Sequence, residues 1–215
     1  MSHVLITGAN RGIGARLAEL YRAQGETVTA TARAAEGYAP LDVTDPASVR
    51  ALATAMKDET VNLLICNAGV YLDKGEELDE GYRAEMWAES FATNVTGVFL
   101  TVQAFLPQLR RSNAPRIAVI SSQMGSQARA PGGSYIYRSS KAAALNLARN
   151  LAADMKPEGI AVGAYHPGWV RTEMGGETAE ISTAEAAEGL VSEFDRLSLD
   201  TTGCFRTWDG HDHAF

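Results

Sequence analysis

Cysteine is scarce in this chain. Its 215 residues hold two, Cys66 and Cys204, far apart, outside any Cys-x-x-Cys pattern and without histidines at metal-ligand spacing. That excludes a disulfide framework and a zinc site, and no metal is expected. Long apolar runs are also missing, since none approaches the roughly 20 residues that a membrane-crossing helix needs. The opening MSHVLITGAN has no basic stretch followed by an apolar one. The expectation is a cytoplasmic protein with no membrane partner. Positive charge is in deficit, 19 Lys and Arg against 26 Asp and Glu, and the net charge of -7 leaves no broad basic footprint for nucleic acid. Any anionic ligand must therefore meet a local basic cluster.

What the chain does have is globular composition, 46% hydrophobic and 21% charged, and a length suited to one domain over residues 1–215. Short apolar runs alternate with longer amphipathic ones. HVLITG reads as a strand, GIGARLAELYRAQG as a helix ended by Gly25, and TVTATA as a second strand. After Arg33 only a few residues precede LDVTD, too few for a helical crossover. DPASVRALATAM then starts a helix with Asp45 as N-cap and Pro46 at its first position.

VNLLICNAG predicts a buried strand, residues 86–111 a long helix with a kink at Pro107, and RIAVISS the next strand. A Gly/Pro loop, a helix over 134–155, a strand near GIAVGAYHPG and a last one in TGCFRTWDG complete the order. Strands alternating with helices imply an α/β, doubly wound (Rossmann), mostly parallel sheet with helices on both faces.

TGANRGIG joins the first strand to the first helix. Gly8, Gly12 and Gly14 thus stand where the backbone must turn tightly and approach a phosphate, with Asn10, Arg11 and Ile13 between them; the helix N-terminus favours a pyrophosphate. The second strand ends Thr31-Ala32-Arg33 without the carboxylate that would hold ribose hydroxyls. Arg33 and Arg11 can instead pair with a 2′-phosphate, which favours NADP(H) over NAD(H). Asp42 is a candidate acceptor for the adenine amino group.

The stretch YRSSK sets Tyr137 four residues before Lys141, on one helix face. An ammonium close to a phenol lowers its pKa and makes it a usable general acid. Tyr135 has Ser139 at the same offset and gains nothing. Ser121 and Ser122 end a strand and point to opposite faces, so one at most faces the tyrosine. Ser122, nearer the carboxyl edge, is assigned to hydrogen-bond the substrate oxygen. Asn94 interrupts a predicted helix, where its amide competes for backbone groups; a water held at the distortion would link Lys141 to solvent.

On these residues the chain resembles the short-chain dehydrogenase/reductase family over nearly its whole length. The T-G-x-x-x-G-x-G loop is TGANRGIG, the N-A-G motif is Asn67-Ala68-Gly69, and Y-x-x-x-K is YRSSK; Pro167-Gly168-Trp169-Val170-Arg171-Thr172 matches P-G-x-V-x-T. YRSSKAAALN, HPGWVRTEMGG and the late WDG look most like Sniffer-type carbonyl reductases and C-factor signalling proteins. The resemblance implies that Tyr137 donates the proton, Lys141 lowers its pKa and holds the nicotinamide ribose, Ser122 orients the carbonyl, and Asn94 completes a proton relay. Asn67, Ala68 and Gly69 would line the cofactor cleft, Val43 would stand beside Asp42 at the adenine, and the segment from Pro167 and Gly168 would bring Val170 and Thr172 to the nicotinamide carboxamide. The segment between Arg33 and Leu41 is shorter than in the family, which implies either a weaker hold on the cofactor or a more exposed adenine.

The resulting expectation is NADPH-dependent reduction of an aldehyde, ketone or quinone to an alcohol, with a small-molecule carbonyl or alcohol as substrate and a homo-oligomer permitted by the apolar long helices. Met124, Trp169 and Met174 are expected to supply apolar pocket surface. The rival is an NADP-binding sensor of the C-factor type with incidental turnover.

Overall fold

The computed structural model describes every residue from Met1 to Phe215. Short β-branched and aliphatic runs, buried almost without break in the central strands, build the sheet: β1 (His3–Ile6), β2 (Thr27–Ala32), β3 (Ala39–Pro40), β4 (Leu63–Cys66), β5 (Arg116–Ile120), β6 (Ala161–His166) and β7 (Phe205–Thr207). They form one seven-stranded sheet in the order β3-β2-β1-β4-β5-β6-β7. Every neighbouring pair is parallel. Alternate residues feed opposite cores. Leu5, Leu64, Ile117 and Val119 pack with one layer of helices, while Val4, Ile6, Leu63, Ile65 and Ala118 pack with the other.

The helices are α1 (Gly12–Ala23), α2 (Pro46–Ala55), α3 (Ala84–Phe91), α4 (Gly97–Leu109), α5 (Tyr135–Met155) and α6 (Thr183–Arg196). As expected, Asp45 caps α2, its carboxylate accepting the Ala47 N–H at 2.8 Å with Pro46 in the first turn. The chain winds outward from β1 to β3, then crosses back to β4 and winds the other way. The sheet therefore reverses between β1 and β4, and a crevice opens at their carboxyl ends. No helix is long and apolar enough to cross a membrane.

Three elements depart from the sequence expectations. The long helix is split, because residues Ala92–Thr96 form a π-helical turn between α3 and α4, centred on Asn94. The brief link after β2 holds β3, a two-residue strand at the sheet edge. A helix over 183–196 was not anticipated, although Ser182 and Glu185 form a reciprocal capping box and Ala186, Ala187, Leu190, Val191 and Phe194 bury one face.

α6 is fastened to β7 through Glu193, which is 2% exposed and bridges Arg196 at 2.7 Å and Arg206 at 2.8 Å. Removing one member of such a cluster strands the others. Glu193→Ala should cost about 3 kcal/mol in chemical denaturation. A loss below about 1 kcal/mol would place these bridges with ordinary surface pairs.

Candidate active site

Glycines bring the ends of β1 and β4 together. Gly8 has φ of +64°, and a Cβ there would lie 2.9 Å from Ala68 Cα. A Cβ at Gly14 would lie 2.5 Å from both Asn67 Nδ2 and the Gly8 carbonyl oxygen. Into this close approach Asn67 donates its amide to the Thr7 and Gly8 carbonyls at 3.0 and 2.9 Å. Thr7 Oγ1 accepts the Asn67 and Ala68 N–H groups at 3.0 Å each. No side chain caps α1, so the N–H groups of its first turn are not taken by one. The result is a phosphate-sized cradle of backbone N–H groups at a helix N-terminus.

The cradle opens onto a cleft of ≈ 710 Å³. Gly8, Asn10, Arg11, Gly12, Ile13 and Gly14 line one wall, with Arg33, Asp42 and Val43 at one end. Asn67, Ala68 and Gly69 form the floor, and Tyr137, Lys141, Pro167 and Thr172 the far side. Two of the expected cofactor residues stand behind this lining. Val170 is buried and bridges to Ile181, and Gly168 packs on Ile181 and Trp208, where a Cβ would approach within 2.4 Å. Their neighbours Arg171 and Thr172 face the cleft instead. At the end expected to take the adenine, Asp42 Oδ1 is occupied by the Thr44 N–H and hydroxyl at 2.9 and 2.7 Å. Arg11 is ion-paired with Glu173, both exposed, so a phosphate would have to displace a weak surface partner there. Arg33 is exposed and lies near Asp42.

At the other end Tyr137 and Lys141 of the reactive quartet line the cleft together with Ser121, whereas Ser122 and Asn94 stand outside that lining. Tyr137 and Lys141 follow one another on the inward face of α5, both buried. Lys141 Nζ lies 5.6 Å from the Tyr137 ring centroid and donates to the Ile120 carbonyl at 3.0 Å. Asn94 is 1% exposed and has both amide protons engaged, with one lone pair of its Oδ1 left over. Its Oδ1 accepts the Val70 N–H at 2.9 Å, and its Nδ2 donates to the Val70 carbonyl and to Ser140 Oγ, each at 2.9 Å. A water at the distortion could donate to the second lone pair of Oδ1, but no amide proton of Asn94 is left for it. The two serines diverge as expected. Ser121 donates to the Lys141 carbonyl at 3.0 Å, whereas Ser122 accepts the Met124 N–H at 3.1 Å and faces the phenol.

The electrostatics correct one expectation. Burial raises the Tyr137 phenol to about 12, and the Ser122 side chain draws it only partly back. Tyr71 and Asp73 push it further up. Burial in turn lowers Lys141 to about 8. The ammonium sits over the ring and does not offset the desolvation of the hydroxyl. The phenol is thus held protonated, and the lysine remains largely an ammonium at pH 7.

Two residues at this site escaped sequence reasoning. Tyr71 stacks on Tyr137 with ring centroids 4.2 Å apart and 21° between planes. Asp73, fully buried, accepts the N–H groups of Ile136 at 2.8 Å and Tyr137 at 3.1 Å. No motif marks either one. Of the apolar candidates, Met174 lines the cleft, Trp169 is exposed, and Met124 is half-buried beside Ser122.

A doubly wound parallel sheet, a glycine cradle at its switch point and a buried tyrosine–lysine pair across the cleft define an oxidoreductase of the nucleotide-dependent α/β class. The chain belongs to the short-chain dehydrogenase family, whose model, described as "short chain dehydrogenase", matches residues 2–182. It is similar to the C-signal protein of Myxococcus xanthus, 39% identical over 164 residues that cover 75% of this chain and 97% of that one. Among solved structures it is similar to the NADPH-bound carbonyl reductase from chicken fatty liver, at 32% identity and a TM-score of 0.92, covering 100% and 99% of the two chains. It is also similar to the carbonyl reductase Sniffer of D. melanogaster, at 26% identity and a TM-score of 0.92, covering 100% of both chains.

Burying the lysine carries a cost that depends on pH. Its pKa of about 8 when folded lies below the ordinary 10.5, so the cost is complete below pH 8 and fades as pH rises toward 10.5. Lys141→Met should therefore stabilise the ligand-free protein by about 3 kcal/mol at pH 7, with the gain shrinking in denaturation series at higher pH. A gain that does not change with pH would show that the ammonium is not desolvated.

Proposed function

We propose that this protein reduces a carbonyl, whether aldehyde, ketone or quinone, to an alcohol at the expense of NADPH. The observation that carries the reading is a buried, protonated phenol and a buried ammonium at one end of a cleft whose other end combines a glycine cradle with Arg33. When bound, NADPH supplies the hydride. Similarity to the NADPH-bound chicken reductase supports that choice of cofactor.

Each residue then has a task. Gly8, Asn10, Gly12, Ile13 and Gly14 receive the pyrophosphate at the start of α1. Arg33, with Arg11 after it leaves Glu173, holds the 2′-phosphate, and Asp42 and Val43 flank the adenine. Asn67, Ala68 and Gly69 support the middle of the cofactor, with Pro167 and Thr172 beside the nicotinamide. Gly168 and Val170 shape that segment from behind. Tyr137 protonates the carbonyl oxygen, and a phenol held well above neutrality is in the form a donor requires. Ser122 accepts a backbone N–H, so its own O–H, which faces the Tyr137 phenol, is available to polarise a substrate oxygen placed between them. Lys141 offers an ammonium to the ribose hydroxyls, and protons reach it through the distortion at Asn94.

Tyr137→Phe should lower turnover on the order of 100- to 10,000-fold while NADPH titration stays unchanged. Retained turnover would overturn the assignment. The likeness to C-signal favours a second reading, in which the fold senses the dinucleotide. A sensor would keep both cofactor binding and its cellular effect in the phenylalanine variant.

Cofactor choice has its own test. Arg33→Ala should weaken NADPH about 10- to 100-fold, the worth of a charge-assisted hydrogen bond, and leave NADH nearly untouched. Equal effects on both cofactors would remove the 2′-phosphate assignment.

A further inference from the structure

α5 begins without a cap of its own. The residue before it, Ser134, has φ of +47°, and its side chain makes no bond to the helix. It meets the Tyr71 hydroxyl instead, at 2.5 Å. A helix start with unsatisfied N–H groups inside a protein is costly, so some other group must serve them. That group is Asp73, which arrives from the segment following β4. Its Oδ2 accepts the Ile136 N–H at 2.8 Å, and its Oδ1 accepts the Tyr137 N–H at 3.1 Å, with Oδ2 a further 3.3 Å from the same nitrogen.

A fully buried carboxylate is tolerated only where it is well compensated, and here a helix N-terminus and charge-assisted bonds do so. Most N-caps come from the adjacent residue and fix only the helix. This one comes from 64 residues before Tyr137 and holds the backbone of that tyrosine itself. Two residues before it, Tyr71 covers the ring of that same tyrosine. Asn94 then anchors the root of the segment by bonding both main-chain groups of Val70.

We propose that Tyr71 and Asp73 are positioning residues for Tyr137, a clamp that sets the phenol's place by gripping its backbone from one side and its ring from another. The clamp rests on the reading of Tyr137 as proton donor. Its function follows from the tolerance of proton transfer, where a displacement near 1 Å costs about 100-fold in rate. A rotation of the first turn of α5 would move the phenol by that much while the cofactor cradle, on β1 and α1, stayed in place.

The test uses the full-length protein, menadione as carbonyl probe, and NADPH affinity by fluorescence titration. Asp73→Ala should lower kcat about 100-fold, with the affinity for NADPH altered less than about threefold. Asp73→Asn, which keeps the shape and one acceptor oxygen, should recover to within about tenfold of the wild type. Tyr71→Phe retains the stacked ring and should stay within about threefold, while Tyr71→Ala should fall about tenfold.

The deciding measurement is made in a Tyr137→Phe background. There Asp73→Ala should cost little more, because a residue acting through the phenol has nothing left to position. If it costs as much as in the wild type, or if Asp73→Ala and Asp73→Asn both keep full kcat, the clamp is overturned. A Tyr137→Phe variant as fast as the wild type, or a wild-type protein inactive with menadione and every other carbonyl tried, overturns the underlying reading and the clamp with it. The two failures are distinguishable, since only the second appears without any change at Asp73.

Discussion

The site depends on an ammonium group kept almost out of water. Lys141 has a single protein partner, the Ile120 carbonyl, and burial alone pulls its pKa down to about 8. A group in that condition tends to escape to solvent or to shed its proton. It stays because α5 is pinned along its inward face. Ser121 bonds the Lys141 carbonyl, and the turn carrying Gly125 lies so close that a Cβ there would come within 2.6 Å of the Lys141 main chain. The helix cannot roll without breaking these contacts, so the ammonium remains beneath the cleft.

The same pinning accounts for the π-helical turn at Asn94. A regular helix would place one fewer residue between α3 and α4. The extra residue lets Asn94 turn inward, pair with the main chain at Val70 and reach Ser140 on α5. One amide therefore ties three elements: the helix that carries it, the segment after β4, and the reactive helix. π-turns of this kind cost hydrogen-bond geometry and persist where a side chain must be aimed. The local defect is thus the means by which the segment bearing Tyr71 and Asp73 is fixed relative to Tyr137.

What could be read from sequence was local. The glycine cradle, the four-residue spacing of Tyr137 and Lys141, the cap at Asp45 and the divergence of Ser121 from Ser122 are all properties of a few adjacent residues, and each has a physical signature at that range. Even the distortion at Asn94 was legible, because an asparagine in a helix interior is conspicuous. The missing helix after β2 was legible from length. Tyr71 and Asp73 were not, since their roles exist only once a segment after β4 lies against a helix 63 residues away. α6 was overlooked despite its capping box. The direction of the Tyr137 shift was misjudged for a related reason: spacing reveals a neighbouring charge, whereas the desolvation that outweighs it belongs to the packed state.

The two ends of the cleft are built to different standards, and that difference bears on how cofactor and chemistry divide the molecule. At the end near Arg33 stand a two-residue edge strand, an exposed arginine and an aspartate already half-occupied by its own turn. Arg11 is engaged with Glu173, an exposed pair whose net worth is small. At the reactive end every polar side chain of the quartet is buried, and the groups that do not face the cleft are bonded. Loose recognition of a distant phosphate tolerates an ångström of error; proton transfer does not. The brief link after β2 leaves the end near Arg33 with contacts exchangeable with solvent, whereas Tyr137, Lys141, Ser122 and Asn94 are buried in a frame held by main-chain bonds.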